Sequence, residues 1–346
     1  MPDRLYLIDG HSILNRAFYG VPDLTNSEGI HTNAVYGFLN ILFKVIEEEQ
    51  PEYLGVAFDL PEPTFRHKMY PEYKGTRKKP APEFRQQVPI IKEVLRAMGI
   101  KCISKGGYEA DDILGTVSKQ GERQGMNVTV ISGDRDLLQL ASKNITIRIP
   151  KTIGGNNVVE EYDEKAVIDK YEVTPQEFID VKALMGDSSD NIPGLPGVGE
   201  KTAVKIIKIY GCIENAFEHA SEIKPPRAGK AMLEHYDLAV MSKQLAAIDT
   251  NVELDLALED LKAHDYLTQE AYQLFKKLGF KQLSLKFNKD NESDGETVEF
   301  EMIGSRETAD KIFSELSGDR IAFSAVDIGE KSVFSLSLDK TYVFVL

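Results

Sequence analysis

Three short apolar runs, Arg4–Ile8, Tyr53–Phe58 and Asn127–Ile131, each lead into an acidic residue within three positions: Asp9, Asp59 and Asp134. Apolar runs of this length that do not alternate with polar residues are the mark of strands buried on both faces. A fourth run, Ile100–Ser104, precedes Glu109, and helical patterns fall between the runs near Ala34–Glu49, near Phe84–Met98, from Tyr108–Asp112 onward and after Asp136. The order β-α-β-α-β-α-β predicts an α/β fold, a parallel-type central sheet with helices on both faces. In such a sheet function gathers at the carboxyl ends of the strands, so acids far apart in sequence converge on one edge.

Nine acids in five clusters belong to that edge: Asp9; Asp59; Glu109, Asp111 and Asp112; Asp134 and Asp136; Asp187 and Asp190. A lone Asp after a strand is most simply a helix N-cap or a turn former. Capping needs one such residue per helix, not two or three, so the set asks for more. Like charges share a pocket only when cations neutralise them. Ligands that are all oxygen point to hard ions, Mg²⁺ or Mn²⁺, and a two-metal carboxylate site is suited to cutting phosphodiesters.

The net charge of −14 taken alone argues against a polyanionic partner, but the way the charge is distributed argues for one. Thr64–Lys105 holds eleven Lys/Arg and three Glu, a local balance of +8, between two of the acidic clusters. Within it, Tyr73 is expected to stack on a base, and Lys74 and Arg77 to meet the scissile phosphate, with Lys78 and Lys79 beside them. A basic solvated loop is the plainer alternative. Asn191–Ala203 reads Asn-Ile-Pro-Gly-Leu-Pro-Gly-Val-Gly-Glu-Lys-Thr-Ala. A helix ending near Met185 and another starting near Glu200 make this a helix-hairpin-helix pattern. Gly194, Gly197 and Gly199 let backbone N–H groups approach a phosphate, and Lys201 and Lys205 add charge. Such a module grips backbone rather than bases. Arg16 is also expected to contact DNA.

After about residue 160 the chain reads as mainly helical to about 280. The polar stretch 287–297 looks like a linker, and 298–346 returns to strands (Val298–Ile303, Ile321–Ala325, Lys331–Leu338, Thr341–Leu346) with one helix near Arg306–Leu316. Ending in an apolar strand suggests a domain cut short. The expected divisions are 1–165, an α/β core; 166–286, a helical DNA-binding subdomain; the linker; and 298–346, a short α+β fragment. No apolar run reaches membrane-span length, the N-terminus lacks a signal-peptide pattern, and Cys102 and Cys212 form no framework. A cytoplasmic monomer with no membrane partner is expected.

The motifs Ile8-Asp9-Gly10, Phe58-Asp59, Tyr73-Lys74-x-x-Arg77, Gly107–Asp112, Ser132–Asp136 and Met185–Gly194 together resemble the 5′-nuclease domain of bacterial DNA polymerase I, within the flap endonuclease family. The resemblance covers residues 1 to about 290. It implies that Asp9, Asp59, Glu109 and Asp111 hold one metal, and that Asp112, Asp134, Asp136, Asp187 and Asp190 form a second site. It further implies that Lys74 and Arg77 sit on a helical arch, and that the hairpin grips duplex DNA, with a K⁺ there. The implied substrates are flapped or branched duplexes with a 5′ single strand, and RNA–DNA primer hybrids, in replication and excision repair. Residues 298–346 resemble the opening of an RNase H-like 3′→5′ exonuclease domain without its Asp-x-Glu pair, which implies an inactive one. No polymerase sequence is present. Two other readings stay open: a non-catalytic junction-binding module of a polymerase, which gives no reason for nine acids, and an RNA nuclease of a related small fold, which needs neither arch nor hairpin.

Overall fold

The structure is a computed structural model that describes residues 2–153, 156–289, 322–328, 331–338 and 342–343. It divides into two compact units, 1–281 and 282–346. In the first, β1 (Arg4–Asp9), β2 (Tyr53–Ala57), β3 (Lys101–Ile103), β4 (Asn127–Ile131), β5 (Ile145–Ile153) and β6 (Asn156–Tyr162) form one sheet in the order β3-β2-β1-β4-β5-β6. Strands β1 to β5 are parallel, and β6 pairs antiparallel to β5. Strand β1 is central, and past Arg4 it is buried at every residue, as its unbroken apolar run requires. The strand order reverses beside it: β2 and β3 lie to one side, β4 and β5 to the other. Asp9, at its carboxyl end, therefore sits at the topological switch point.

Two features depart from the sequence reading. Asp9 opens a helix that the pattern did not reveal, α1 (Gly10–Gly20), whose first turn it caps by accepting from Ser12 N at 3.0 Å. Gly10 is required there, because a Cβ would stand 2.4 Å from the Phe58 ring. After Asp136 the chain makes only a 3-10 turn, Asp136–Leu140, and then the β5–β6 hairpin. Strand β5, next to the edge strand β6, alternates apolar and polar residues, a weaker signal than the runs of β1 and β4.

The other helices near the site are α2 (Asn33–Glu49), α3 (Phe65–Met69), α4 (Pro82–Ala97), α5 (Ala110–Arg123), α6 (Glu164–Tyr171), α7 (Pro175–Met185) and α8 (Glu200–Tyr210). The segment expected to arch is α3 and α4 joined by turns through Tyr70–Ala81. A single buried apolar cluster runs from Leu5 and Val130 in the sheet through Phe178 and Leu184 in α7 to Ile207 in α8 and Met232. The helical part is thus packed as an extension of the sheet's own core. Among the described residues no helix is long and apolar enough to cross a membrane.

In the second unit, Ala322–Ile328, Lys331–Leu338 and Tyr342–Val343 pair as a three-stranded antiparallel sheet. Most of the expected linker, the strand Val298–Ile303 and the helix Arg306–Leu316 lie outside the described residues.

Candidate active site

Four strand ends and one helical hairpin bring the nine acids to the carboxyl edge of the sheet, where eight of them sort into three groups and Asp112 stands apart. The first is Asp9, Asp59, Asp111 and Asp134. Asp9 Oδ2 accepts from Ser132 Oγ at 2.7 Å, Asp59 Oδ1 accepts from Ala110 N at 2.8 Å, and Asp134 Oδ1 accepts from Asp136 N at 2.9 Å. Asp59 thereby caps α5 from another strand, where the helix end favours negative charge. Burial, reinforced by the charges of Asp59 and Asp134, pushes the Asp9 carboxyl up to about 7 despite its hydrogen bonds from Ser12 and Ser132. Burial and the neighbouring Asp134 and Asp9 charges raise Asp111 well above the usual carboxylate range. Among the described residues nothing basic pairs directly with these two, so they carry the crowding of the edge.

The second group is Asp136 and Asp187, joined by Lys182 on α7, whose Nζ lies 2.6 Å from a carboxylate oxygen of each. The two respond differently. Burial and the Asp134 charge raise Asp136 to about 6 despite Lys182. Burial also works against Asp187, but Lys182 and the donors of Ser189 outweigh it and hold the carboxyl at about 2. Lys182 was not foreseen; it stands five residues before Asp187 in a helix, and only the turn at Gly186 folds it back onto that residue.

The third group ties the two sequence motifs together. Tyr73 is buried, 3% exposed, and its hydroxyl donates to Glu109 and Asp190 at 3.0 and 3.1 Å. Lys74 Nζ donates to Glu109 Oε1 at 2.7 Å, and Arg77 Nη2 donates to Asp190 Oδ1. Two further bonds complete the clamp, the backbone Lys74 N to Asp190 O at 2.8 Å and the side-chain Asn191 Nδ2 to Glu72 O at 2.8 Å.

These contacts correct several expectations. Tyr73 is buried with its hydroxyl turned inward onto Glu109 and Asp190, so in this structure its ring is covered where stacking on a base was expected. Asp112, expected at the second metal, is paired with Arg66 in this structure. Its carboxylate takes both Arg66 Nη1 and Nη2 at 2.8 Å and also accepts from Glu109 N and Asp249 N, fully buried. Glu109 and Asp190 share one group, although the resemblance placed them in different metal sites. Lys74 and Arg77 rest on carboxylates. Among the described residues, no group of three or more His, Cys, Asp or Glu side chains forms a ready-made metal cage; Lys74, Arg77, Lys182 and Arg66 already pair with Glu109, Asp112, Asp136, Asp187 and Asp190.

In the hairpin, Gly194 is buried, and its N–H donates to Ser242 Oγ at 3.1 Å, so it has no donor left for a phosphate. Its role is close packing: a Cβ there would meet Gly186 N at 2.3 Å. Gly197 and Gly199 are exposed, Gly199 caps α8, and Lys201 and Lys205 are exposed on that helix. Lys78 and Lys79 are exposed beside Arg77, and Arg16 Nη2 donates to Thr152 Oγ1 at 2.8 Å.

A switch-point carboxylate edge locked to a helix-hairpin-helix defines a class of α/β nuclease fold, and solved structures share it. A zinc-bound 5′-exonuclease of bacteriophage T5 superposes with a TM-score of 0.59 at 20% identity, covering 82% of this chain and 99% of that one. The catalytic core of Rad2 in complex with DNA substrate does so with a TM-score of 0.55 at 15% identity, covering 83% and 91%. The chain belongs to the 5′-3′ exonuclease family: the family's N-terminal resolvase-like domain matches residues 4–172, and its C-terminal SAM fold matches residues 173–269. DNA polymerase I of Bacillus caldotenax is 42% identical over 96% of this chain, and that of Bacillus subtilis strain 168 is 41% identical over 94%. The chain spans 37% of the length of each.

Proposed function

We propose that this nuclease is a metal-dependent, structure-selective 5′→3′ exonuclease and flap endonuclease. Its substrates are flapped or branched DNA and RNA primers hybridised to DNA, and it acts as the N-terminal part of a DNA polymerase I in replication and excision repair. The division into a core at 1–165, a helical DNA-binding part at 166–286 and an inactive proofreading remnant from 298 belongs to the same reading. The observation that carries it is the crowding of Asp9, Asp59, Asp111 and Asp134, with two of the four pushed toward neutrality by burial and by each other.

Such an oxygen-only set, with Asp9 and Asp111 raised by burial and by neighbouring carboxylates, fits hard divalent cations. Asp9, Asp59, Asp111 and Asp134 are the residues that would hold one, and Asp136 and Asp187 a second. Bound Mg²⁺ or Mn²⁺ supplies an activated water and stabilises the leaving oxygen of an in-line displacement. The protein's own contribution is electrostatic. Lys74 and Arg77 hold cationic heads at the edge of the site, where they offset the charge that grows on the phosphoryl oxygens. Tyr73 fixes Glu109 and Asp190 through one hydroxyl, so the clamp positions both basic side chains.

The test is cleavage of a labelled 5′-flap duplex with Mg²⁺ and with EDTA. Cleavage at or next to the branch only with Mg²⁺ is expected. Asp134→Ala should abolish it and leave flap binding within about threefold, because the duplex is gripped elsewhere. Unchanged cleavage by that variant would remove the site assignment, and tight binding without cleavage by the natural sequence would favour a junction-binding module.

A further inference from the structure

Beyond the carboxylates, the sheet edge opens into a cleft of about 510 Å³ between α1, the Gly133–Arg135 turn and β5. We propose that this cleft is a phosphate-binding subsite for the stretch of substrate strand adjoining the scissile bond, an inference that rests on the nuclease reading above. Asn15, Arg16, Arg135 and Lys151 line it together with Asp134, so one wall belongs to the carboxylate group and three cations face it. In a chain of net charge −14 such a balance is local and specific.

The central observation is Arg135. It is exposed and makes no ion pair among the described residues, although it lies between two aspartates. Those aspartates are committed elsewhere, Asp134 to the backbone N–H of Asp136 and Asp136 to Lys182. Arg135 precedes the 3-10 turn that begins at Asp136 and lies close enough to Tyr162 and Tyr171 for its charge to act on both hydroxyls. Lys151 reaches the cleft from β5, held by Glu160 at 2.6 Å. Arg16 reaches it from α1, two turns beyond the Asp9 cap. The site is therefore built from three separate elements, one of them the β5–β6 hairpin, which has no other part in the chemistry. A guanidinium fork with charge to spare beside a phosphodiester-cutting centre matches a phosphate. Lys74 and Arg77 sit on Glu109 and Asp190, so this is a second cation set, reached from Asp134 instead.

The phosphates could belong to the unpaired 5′ arm or to the paired strand, and the experiment separates them. Binding of a 5′-flap duplex and of a nicked duplex without an arm is measured in EDTA, across a salt series, for the natural sequence, R135A, R135K and K151A. We expect R135A and K151A each to weaken binding about tenfold and to lower the slope of log K against log salt by about 1, while R135K keeps the slope. Loss on both substrates assigns the cleft to the paired strand, and loss confined to the armed one assigns it to the arm; each supports the subsite. Unchanged affinity and slope for both alanine variants would overturn it, whatever happens to the rate. So would an effect of R135A without one of K151A, which would trace to disturbed Asp134 and Asp136. A natural sequence that neither binds nor cuts the flap defeats the nuclease reading itself. One that cuts normally beside silent variants defeats the cleft alone.

Discussion

Asp9 and Asp112 are both buried carboxylates, yet their partners give them opposite roles. Asp112 meets a bidentate guanidinium and two backbone donors, so its charge is compensated and structural. Arg66, equally buried, also donates to the carbonyls of Leu245 and Ala247 at 2.8 and 2.7 Å and so pins α3 to α5 and to the helix that ends at Ala246. Arg66→Met leaves Asp112 buried and uncompensated. Denaturant titration should show a loss of about 3–5 kcal/mol, and a loss below about 1 kcal/mol would show that the ion pair is dispensable. Among the described residues Asp9 has two hydrogen bonds and no cation, and burial with the neighbouring carboxylates pushes it up to about 7, above the unfolded value near 4. The folded state therefore binds the extra proton. The stability this confers is complete below about pH 4 and is lost as pH rises through 7. Without divalent metal, Asp9→Asn should melt at least about 3 °C higher than the natural sequence at pH 8 and no higher at pH 4, because Asn keeps the cap without the charge. Equal melting points at pH 8 would mean that Asp9 is not under repulsion.

At the scale of elements, the site depends on caps and turns that reach between segments. Helix α2 has no side-chain cap of its own; Gln87 of α4, fully buried, accepts from Ala34 N and Val35 N at 2.8 and 3.2 Å in its place. Asp59 does the same for α5. The hairpin after α7 closes because Gly186 and Gly194 touch backbone to backbone, both at positive φ. Gly194→Ala meets both the left-handed penalty and a 2.3 Å clash with Gly186 N, and should cost at least about 3 kcal/mol. Gly197→Ala, at φ 74° with open space around it, should cost only about 1 kcal/mol. Thermal melts of the two variants check the difference; equal losses would mean that the hairpin is not packed as described.

For the whole molecule, a strongly acidic protein that binds DNA must do so through local patches, and its affinity should be steeply salt-dependent. Lys201→Ala with Lys205→Ala, both exposed on α8, should lower the salt slope by about 2 and weaken binding equally for duplexes of different sequence. A loss that varied with sequence would contradict backbone gripping. Such patches work only if they are held at a constant distance from the carboxylates, and the continuous core from Leu5 to Met232 does that for the helical part.

The sequence by itself determined the parallel sheet, the acids at its strand ends and the helix-hairpin-helix, because those are local patterns: unbroken apolar runs, acids at run ends, glycines at tight turns. Helix α1 was hidden by its mixed composition, and the β5–β6 hairpin by its place at the sheet's edge, where burial is weaker and the apolar pattern looser. Only the tertiary structure decided what each charge does. Lys74, Arg77 and Tyr73 read as groups for a ligand, yet they fold onto Glu109 and Asp190. Asp112 leaves the set through Arg66, and Asp187 is held at about 2 while Asp136 rises to about 6, although both touch Lys182. The physical reason is that a charge's state depends on burial and on neighbours within a few ångströms. Those neighbours come from segments up to 181 residues apart, as with Arg66 and Ala247, which no local pattern brings together.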